Sequence, residues 1–299
     1  MDRFDAMRVF VAVAELESFA AASRRLRLSP AAATRAVAAL EDHLGLMLLN
    51  RTTRSVRLTE RGAVYLESCR RVLADLEDGE RLARGDSAEP RGLLTVSAPI
   101  LFGRLHVLPV VEGLLRAHPG LDIRLALSDR FVSLVEEGVD VAVRIGELAD
   151  SALVARKVAE VQRVLVAAPA YLATHGTPRA PADLLAHDIV AFEGVDASLD
   201  WRLGADGGQS VRVRPRLSVN SADAALAAVE GGLGITRALS YQVLEGLAAG
   251  RLVLVLQDFA PRPVPVSLAH PATRLRSVNV SAFMAAAAGA LRGRPLLPP

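Results

Sequence analysis

The chain has 299 residues, 51% of them hydrophobic, and a formal net charge of +2, which fits two domains with cores of their own better than one small or disordered fold. Charged residues or proline interrupt the apolar stretches before the roughly 18 residues that a membrane span needs. Glu15 and Glu17 follow the first apolar run too closely for an export signal, and the single cysteine, Cys69, allows no internal disulfide. We therefore expect a soluble, cytoplasmic protein of two domains.

The first 45 residues predict three helices separated by short turns. Apolar residues recur at helical spacing over 5–16, Ser18 can cap a second helix over 19–26, and Ser29 can cap a third over 30–44. Proline at the first position of the third helix loses no hydrogen bond there, and a glycine follows the end of that helix. The short turn between the second and third helices is typical of a helix-turn-helix.

Two short strand candidates, 46–50 and 56–58, follow the third helix and flank a polar tip at 51–55. The resulting order is helix, helix, turn, helix and wing. This part of the chain is also locally basic, because residues 24–61 contain eight arginines against three acidic residues. Basic side chains at that density attract the phosphates of nucleic acid. The alternative, an ordinary solvated arginine face, agrees less well with the ordered helices and the wing.

A helix-turn-helix places its second helix, here the third helix of the chain, in the major groove. The first residues of that helix then lie against base edges. Arg35 can therefore contact guanine or hold a phosphate, whereas the arginines of the wing are better placed for phosphates or the minor groove. The candidate DNA-binding residues are Ser29, Pro30, Ala31, Thr34 and Arg35 on the third helix and Arg51, Thr52, Thr53, Arg54 and Arg57 on the wing.

Residues 61–90 predict a long amphipathic helix that ends in a linker. Leu66, Cys69, Leu73 and Leu76 follow spacings of three and four, which favours pairing with the same helix of a second chain. The alternative is one amphipathic helix docked on its own domain. Glycine, proline and polar residues are enriched at the end of this segment, as is typical of a linker.

From residue 93 onward, short apolar strands alternate with helices, which is typical of an α/β fold with mostly parallel sheets. A segment of about 200 residues exceeds what one sheet needs, so we expect two α/β lobes with a ligand cleft between them. The predicted strands are 93–97, 122–127, 139–143, 161–166, 189–192, 211–213, 234–236 and 264–269. The predicted helices are 108–118, 131–137, 221–230, 240–249 and 278–291.

Short motifs distributed along the whole chain carry a family resemblance. In the first part they are SFAAA at 18–22, LSP at 28–30, TR at 34–35, LE at 40–41, LG at 44–45, RTTR at 51–54 and LTERG at 58–62. In the second part they are VAVRIG at 141–146, APAYL at 168–172 and GGLGI at 231–235. With these motifs the chain closely resembles the LysR-type transcriptional regulators over nearly its whole length.

The resemblance implies an all-α winged helix-turn-helix at 1–60, a dimerising linker helix and hinge at 61–90, and an effector domain at 91–299. The effector domain would resemble periplasmic solute-binding proteins, with two α/β subdomains at 91–164 with 267–299 and at 165–266, and with chain crossovers near 164–168 and 263–267. The resemblance further implies a tetramer built as a dimer of dimers. The expected partners are double-stranded operator DNA and a small-molecule effector, an organic acid or an aromatic compound, bound between the subdomains.

Polar groups at strand ends are the candidate contacts to that effector. Hydroxyl groups and backbone amides there can receive an anionic or hydroxylated ligand, and α/β folds bind ligands at the carboxyl ends of their strands. For any single serine, the alternative role of a helix cap is the more common one. The candidate effector-binding residues are Ser97, Ala98, Pro99, Ser128, Asp129, Arg144, Asn220, Ser221, Thr236 and Arg237.

Other classes of protein find little support in the sequence. The histidines lack metal-ligand spacing, Cys69 has no activating base nearby in sequence, and the chain contains no Gly-x-Ser-x-Gly or Walker motif. We therefore expect no catalytic residue, metal or cofactor. A solute-binding protein without a role on DNA would suit the second half of the chain, but it would need an export signal where the winged helix stands. The sequence thus predicts a ligand-responsive, DNA-binding transcriptional regulator.

Overall fold

The computed structural model describes residues 2–51, 56–84, 89–130, 134, 137–147, 153–194, 198–272, 277–294 and 296–297. The chain forms two compact units, Met1–Leu93 and Leu94–Pro299. None of the described helices combines the length and the apolar character that a membrane crossing requires.

The first unit contains three helices, a two-stranded wing and a long fourth helix. Its elements are α1 (Arg3–Leu16), α2 (Phe19–Leu26), α3 (Pro30–Leu44), β1 (Leu49–Arg51), β2 (Val56–Leu58) and α4 (Glu60–Arg84). The two strands pair antiparallel. The predicted order of helix, helix, turn, helix and wing is confirmed, and the ends of the first three helices lie within two residues of their expected positions.

The ends of α2 and α3 are fixed by the capping residues that the sequence predicts. Ser18 Oγ accepts a hydrogen bond from Ala21 N at 3.2 Å, and Ser29 Oγ accepts one from Ala32 N at 3.1 Å. Each bond satisfies a backbone N–H that has no partner inside the helix. Gly45 ends α3 with a φ of 67°, a left-handed conformation that glycine adopts without a steric cost.

The helix α4 packs on its own unit with the face for which the sequence predicts a partner chain. Leu66 and Cys69 belong to the same buried core as Phe10 of α1, Leu73 is buried as well, and Leu76 is half-buried. The expectation that this stripe lies between two chains is therefore corrected for Leu66, Cys69 and Leu73. The physical reason is that α4 covers the apolar side of α1, so the alternative, docking on its own domain, describes these residues.

The second unit is built on two five-stranded sheets and a separate strand pair. Its strands are β3 (Gly92–Ala98), β4 (Leu121–Leu127), β5 (Val141–Ile145), β6 (Leu153–Val161), β7 (Arg163–Ala167), β8 (Ile189–Phe192), β9 (Asp200–Leu203), β10 (Gln209–Arg212), β11 (Pro215–Val219), β12 (Ile235–Leu239), β13 (Val253–Val255) and β14 (Val264–Pro271). The first sheet has the order β4-β3-β5-β14-β6, the second has the order β11-β8-β12-β7-β13, and β9 pairs with β10. We call the two sheets with their helices the first and second lobe.

The helices of this unit are α5 (Ile100–Phe102), α6 (Leu108–Ala117), α7 (Pro169–His175), α8 (Ala222–Glu230), α9 (Ser240–Ala248) and α10 (Val278–Leu291). A π-helical turn, Gly103–Val107, joins α5 to α6, and 3-10 turns lie at Pro181–Ala186 and Gln257–Phe259. The helices predicted at 108–118, 221–230, 240–249 and 278–291 are confirmed to within one residue. The helix predicted at 131–137 falls mostly on residues outside the described ones.

Both five-stranded sheets mix parallel and antiparallel strands. β3 runs parallel to β5, and β8 runs parallel to β11 and β12. β14 runs antiparallel to β5 and β6, and β7 runs antiparallel to β12 and β13. The expectation of mostly parallel sheets is therefore wrong. The reason lies in β7 and β14, which are the first strands after each passage of the chain between the lobes. β7 runs antiparallel to β12 and β13, and β14 runs antiparallel to β5 and β6.

The strand predicted at 161–166 is two strands in two different sheets. β6 ends at Val161 in the first sheet and β7 begins at Arg163 in the second, so that only Gln162 joins them. Gln162 N donates to Ser240 Oγ at 3.0 Å, which fixes the backbone where it changes sheets. An apolar run with two polar residues inside it, Gln162 and Arg163, does not reveal such a break.

The chain passes between the lobes twice. The first crossover is Gln162, and the second is the segment 256–263 between β13 and β14. Gln162 Nε2 donates to Pro261 O at 2.8 Å, so the two crossovers lie side by side. Both come a few residues before the positions near 164–168 and 263–267 that the resemblance implies, because β7 already belongs to the second sheet and β14 to the first.

Candidate nucleic-acid interface and candidate ligand cleft

The first turns of α3 present an exposed face. The candidate residues on this face are all exposed and are Ser29, Pro30, Ala31, Thr34 and Arg35. The opposite face packs into the core of the unit and consists of Ala33, Ala36, Val37 and Leu40. Thr34 Oγ1 donates to Pro30 O at 3.0 Å and Ser29 caps the helix, so Arg35 is the long cationic side chain that this face offers to a base edge or a phosphate.

The wing adds further basic residues to the candidate interface. Arg57 lies on β2 opposite Asn50, and its side chain is exposed. Arg51 is the last residue of β1. The remaining wing candidates, Thr52, Thr53 and Arg54, lie outside the described residues.

Glu41 connects α3 to the wing, a role that the sequence did not indicate although the residue belongs to the LE motif at 40–41. The side chain is only 6% exposed, and its Oε1 accepts hydrogen bonds from Leu48 N at 2.9 Å and from Leu49 N at 3.1 Å. A buried carboxylate needs such partners, and here they are backbone groups at the start of the wing. The signal in the sequence was an acidic residue directly after Leu40, on the apolar stripe of the helix.

A cavity of about 360 Å³ opens between the two lobes of the second unit. The first lobe contributes Pro99, Ser128, Asp129, Arg130, Arg144 and Ile145. The second lobe contributes, among others, Arg163, Phe192, Glu193, Trp201, Arg237 and Tyr241. We call this cavity the cleft. Five of the candidate effector-binding residues therefore line one cavity, and they are Pro99, Ser128, Asp129, Arg144 and Arg237.

The other five candidates do not line the cleft. Ser97 and Ala98 are buried inside β3, and Thr236 is buried in β12, where the alternation of the strand turns it away from the face of Arg237. Ser221 caps α8, with its Oγ accepting from Ala224 N at 3.3 Å, and Asn220 beside it is exposed. For Ser221 the structure thus shows the helix cap that was the alternative role.

Positive charge predominates in the cleft. Four arginines line it, Arg130, Arg144, Arg163 and Arg237, against the carboxyl groups of Asp129 and Glu193. Arg144 is only 7% exposed, and burial lowers the pKa of its guanidinium. An anionic ligand would offset part of that desolvation cost, because a guanidinium pairs with a carboxylate through two parallel hydrogen bonds.

Asp129 has a structural role at the edge of the cleft. Its Oδ1 accepts a hydrogen bond from Ile100 N at 3.0 Å, which ties the loop after β4 to the start of α5. Burial, together with the nearby charge of Asp223, raises the pKa of Asp129, while the bond from Ile100 acts in the opposite direction.

Aromatic side chains form part of the cleft wall. The guanidinium carbon of Arg237 lies 5.3 Å from the centre of the Trp201 ring, a cation–π arrangement. Tyr241 packs edge-on against Phe102, with ring centres 5.1 Å apart, and burial raises the pKa of its phenol. Sequence reasoning missed Trp201, Tyr241 and Arg163, although Trp201 is the single tryptophan of the chain.

Within the described ranges, no group of three or more His, Cys, Asp and Glu side chains could hold a metal ion. The side chains that line the cleft offer ionic pairing, hydrogen bonding and stacking.

Two family models match the chain. The model described as a bacterial regulatory helix-turn-helix protein of the lysR family matches residues 4–63, and the model described as a LysR substrate binding domain matches residues 87–292. The first match includes α1 to α3 and the wing. The second includes both sheets and therefore every described residue of the cleft.

Individual relatives match over nearly the full length. The chain is 35% identical to the uncharacterized HTH-type transcriptional regulator YhjC of Escherichia coli K12, over 98% of this chain and 99% of that protein. It is 34% identical to an HTH-type transcriptional repressor of Pseudomonas aeruginosa, over 95% of this chain and 90% of that protein. Among solved structures, the full-length virulence activator AphB of Vibrio cholerae, a LysR-type protein, matches with a TM-score of 0.60 at 29% identity, over 97% of this chain and all of that one.

Proposed function

The chain belongs to the LysR family of DNA-binding transcriptional regulators, and we propose that a small-molecule effector bound in the cleft controls its action on an operator. The proposal assigns residues 1–60 to DNA binding, 61–90 to the linker helix and hinge, and 91–299 to effector binding. On DNA, the exposed start of α3 reads base edges in the major groove through Arg35, and Arg57 with the other wing residues holds phosphates. The protein acts in the cytoplasm, where its operator would be.

The residues that line the cleft support an acidic effector with an aromatic or apolar body. Its four arginines outnumber its two carboxyl groups, and Trp201, Phe192 and Tyr241 supply aromatic surface. An organic acid with an aromatic or apolar body fits this combination, since the acid group pairs with guanidinium and the body packs on the rings. Arg144 on the first lobe and Arg237 on the second are the residues we propose for the acid group.

An effector held by both lobes would act by changing how the lobes are arranged. Only a ligand that binds one arrangement of the lobes better than another can shift the populations of these arrangements. A ligand that contacts Arg144 and Arg237 simultaneously meets that requirement, because the two residues lie on different lobes. We further propose a tetramer built as a dimer of dimers, in which the arrangement of the lobes sets the spacing of the DNA-binding domains. Paired winged helices then read two half-sites about one helical turn, or a multiple of it, apart.

A gel-shift titration with DNA from upstream of the protein's own gene tests the DNA-binding assignment. Arg35→Ala is expected to lower the preference for this DNA over random DNA, because a good base contact provides roughly 1–3 kcal/mol of discrimination. Arg57→Ala is expected to weaken binding to both and to reduce the slope of log affinity against log salt by about one. Equal behaviour of the two variants would contradict the division into a reading helix and a phosphate-holding wing.

A screen of small aromatic and aliphatic carboxylates, each paired with its uncharged amide, tests the effector assignment. We expect a carboxylate, but not its amide, to raise the melting temperature and to change the gel-shift affinity. Arg144→Gln is expected to abolish this response while leaving DNA binding without the compound unchanged. A response that survives Arg144→Gln and Arg237→Gln together would place the effector outside the cleft.

A further inference from the structure

Glu15 lies in the last turn of α1 and joins three helices of the first unit. Its Oε1 accepts a hydrogen bond from Arg70 Nη2 of α4 at 3.2 Å, and its Oε2 accepts one from Arg25 Nη1 of α2 at 3.0 Å. Each oxygen of the carboxylate therefore binds a guanidinium from a different helix. Arg70 Nη1 also donates to Glu67 Oε1 at 3.0 Å, one turn earlier on α4. We call these four side chains the charge network.

The carboxylate of Glu15 does not stabilise the helix that carries it. The C-terminus of a helix bears a partial negative charge, so an acidic side chain in the last turn is repelled there, and the last turn of α1 contains no basic residue. The guanidinium groups of Arg25 and Arg70 offset this repulsion. Because only 32% of the Glu15 side chain and 34% of the Arg70 side chain are exposed, solvent screens this ion pair only in part.

The charge network lies close to the point where α4 extends past α1. The ring centres of Phe10 and Tyr65 are 5.8 Å apart, and Glu15 contacts Arg70 five residues further along both helices. The two helices therefore run side by side in the same direction. α1 ends one residue after Glu15, whereas α4 continues to Arg84. At about 1.5 Å per residue, the part of α4 beyond Arg70 is about 21 Å long.

The direction of this extended part of α4 depends on the charge network. Leu66 and Cys69 hold α4 against the core, but the apolar contribution is non-directional. Hydrogen bonds between guanidinium and carboxylate, in contrast, have a defined geometry. A tilt of roughly 10° at Arg70 would move the far end of α4 by about 4 Å over its length. This displacement is close to the rise of one base pair of DNA, about 3.4 Å.

We propose that Glu15 is a positioning residue for operator recognition, and that it sets the spacing of the half-sites that a pair of chains reads. α2 is the first helix of the helix-turn-helix, which crosses the DNA backbone. α4 is the linker helix that joins two chains in the proposed function, on which this inference rests. Glu15 fixes the angle between these two helices through Arg25 and Arg70. In a symmetric pair a change of this angle acts in both chains, so its effect on the distance between the two α3 helices doubles.

Gel shifts with DNA from upstream of the protein's own gene test the proposal. The probes carry one or two base pairs inserted or removed between the half-sites, which footprinting locates. We expect the unchanged protein to prefer the natural spacing by about tenfold or more, since a second half-site adds affinity only where both can be contacted at once. Glu15→Gln is expected to reduce this preference to about threefold or less. Its affinity for a probe with one half-site should stay unchanged, because α3 and the wing are intact.

Matched variants separate positioning from a change in charge or in stability. Arg70→Gln should reproduce the effect of Glu15→Gln, whereas Arg70→Lys, which keeps the cation, should retain most of the spacing preference. Glu17→Gln makes the same charge change at the exposed C-cap of α1 and should leave the preference unchanged. The urea midpoint of Glu15→Gln should remain close to that of the unchanged protein, because partly exposed ion pairs contribute little to stability. A large drop in that midpoint would show a structural role instead of a positioning one.

The distance between the two chains of a pair provides a readout without DNA. Cys69 is only 1% exposed, so a spin label reacts with Asp42→Cys on the exposed surface of α3, and pulsed electron spin resonance measures the distance between the two labels. We expect a narrow distribution of distances with Glu15 and a broader one with Glu15→Gln. Equal widths, or an unchanged spacing preference, overturn the role of Glu15. If the unchanged protein itself does not distinguish the spacings, the paired reading in the proposed function is wrong, and the positioning role fails with it.

Discussion

Glu41 determines how the wing is held against α3. Its carboxylate is buried and accepts hydrogen bonds from the backbone N–H groups of Leu48 and Leu49. These bonds join α3, which carries Arg35, to the start of β1, and Arg57 lies on β2, the strand that pairs with β1. The position of Arg57, which we propose for phosphates, relative to Arg35, which we propose for base edges, therefore depends on the buried Glu41.

We expect Glu41→Ala to lower the free energy of unfolding of the first unit by about 2–4 kcal/mol. Each backbone N–H that loses its buried partner costs about 1–3 kcal/mol. Urea unfolding, followed by circular dichroism, measures the change, and Asp42→Ala at the exposed neighbouring position is the control. Operator affinity should also fall in Glu41→Ala, under conditions where the variant is folded. A variant as stable as Asp42→Ala would show that the two bonds to the wing contribute nothing.

His106 is a half-buried histidine in the first lobe. Its ring lies 4.7 Å from that of Phe102 and 5.6 Å from that of Tyr241, between centres. Arg294 Nη1 is 3.2 Å from His106 Nδ1, and since arginine only donates, Nδ1 must accept and the proton lies on Nε2. Burial, followed by the charge of Arg294, lowers the pKa of His106 to about 4.

The stability of the second unit should therefore depend on pH. Above about pH 6.5 His106 is neutral in both the folded and the unfolded chain. Between that value and about pH 4, only the unfolded chain binds the proton, so the stability falls as the pH falls. We expect His106→Gln to reduce the drop in melting temperature between pH 7 and pH 5. An equal pH dependence in the variant and the unchanged protein would contradict a neutral His106 in the folded chain.

At the level of elements, the helices of the first unit could be predicted because their signals are local. Apolar spacing and the capping residues Ser18 and Ser29 lie within a few positions of the helix ends that they determine. The one difference, an earlier start of α1, also has a local cause, since Asp2 Oδ1 accepts from Asp5 N at 2.8 Å. Such bonds form between near neighbours in the chain and therefore leave a trace in the sequence.

The sheets of the second unit could be predicted only in part, because their partners are distant in the chain. β9, β11 and β13 are short or charged strands that the pattern did not reveal, and their pairing, not their composition, makes them strands. The cleft shows the same limit. Arg163, Trp201 and Tyr241 meet there from three separate elements, and no spacing in the sequence indicates that they do.

The burial pattern of α4 changes which residues are expected to associate with a second chain. Leu66 and Cys69 are buried in the core of their own unit, whereas Val72 is 41% exposed and Val64 is 72% exposed. Val64 and Val72 are eight positions apart, two helical repeats of four, so they lie along one side of the helix. This side, and not the buried stripe, is available to a partner.

We expect Val72→Asp to shift the protein toward the monomer without lowering its stability. A charge placed at a paired apolar surface is desolvated twice in a symmetric contact. Leu66→Ala, by contrast, should leave association unchanged at low temperature and cost about 2–5 kcal/mol of unfolding free energy. Sedimentation equilibrium and urea unfolding of both variants separate the two effects. Unchanged association of Val72→Asp would place the contact between chains elsewhere than on α4.

At the level of the whole molecule, the two compact units have separate cores. The core of the first unit includes Phe10, Val37 and Leu49, and the large core of the first lobe includes Phe102 and Phe283. Separate cores permit separate cooperative unfolding. A fragment of residues 89–299, which retains all of β3, is therefore expected to fold, to give the circular dichroism of an α/β protein, and to show no affinity for operator DNA.

Differential scanning calorimetry of the full chain should then resolve two transitions, and a cleft ligand should move only one of them. At a concentration 100 times its dissociation constant, a ligand stabilises the folded state by about 2.7 kcal/mol. For a unit of about 200 residues this corresponds to a rise of roughly 5–10 °C in melting temperature. The fragment 89–299 should show the same rise, and Arg144→Gln should remove it in both proteins. A single transition that the ligand shifts as a whole would mean that the DNA-binding unit and the effector-binding unit unfold together, so that binding energy from the cleft reaches the winged helix directly.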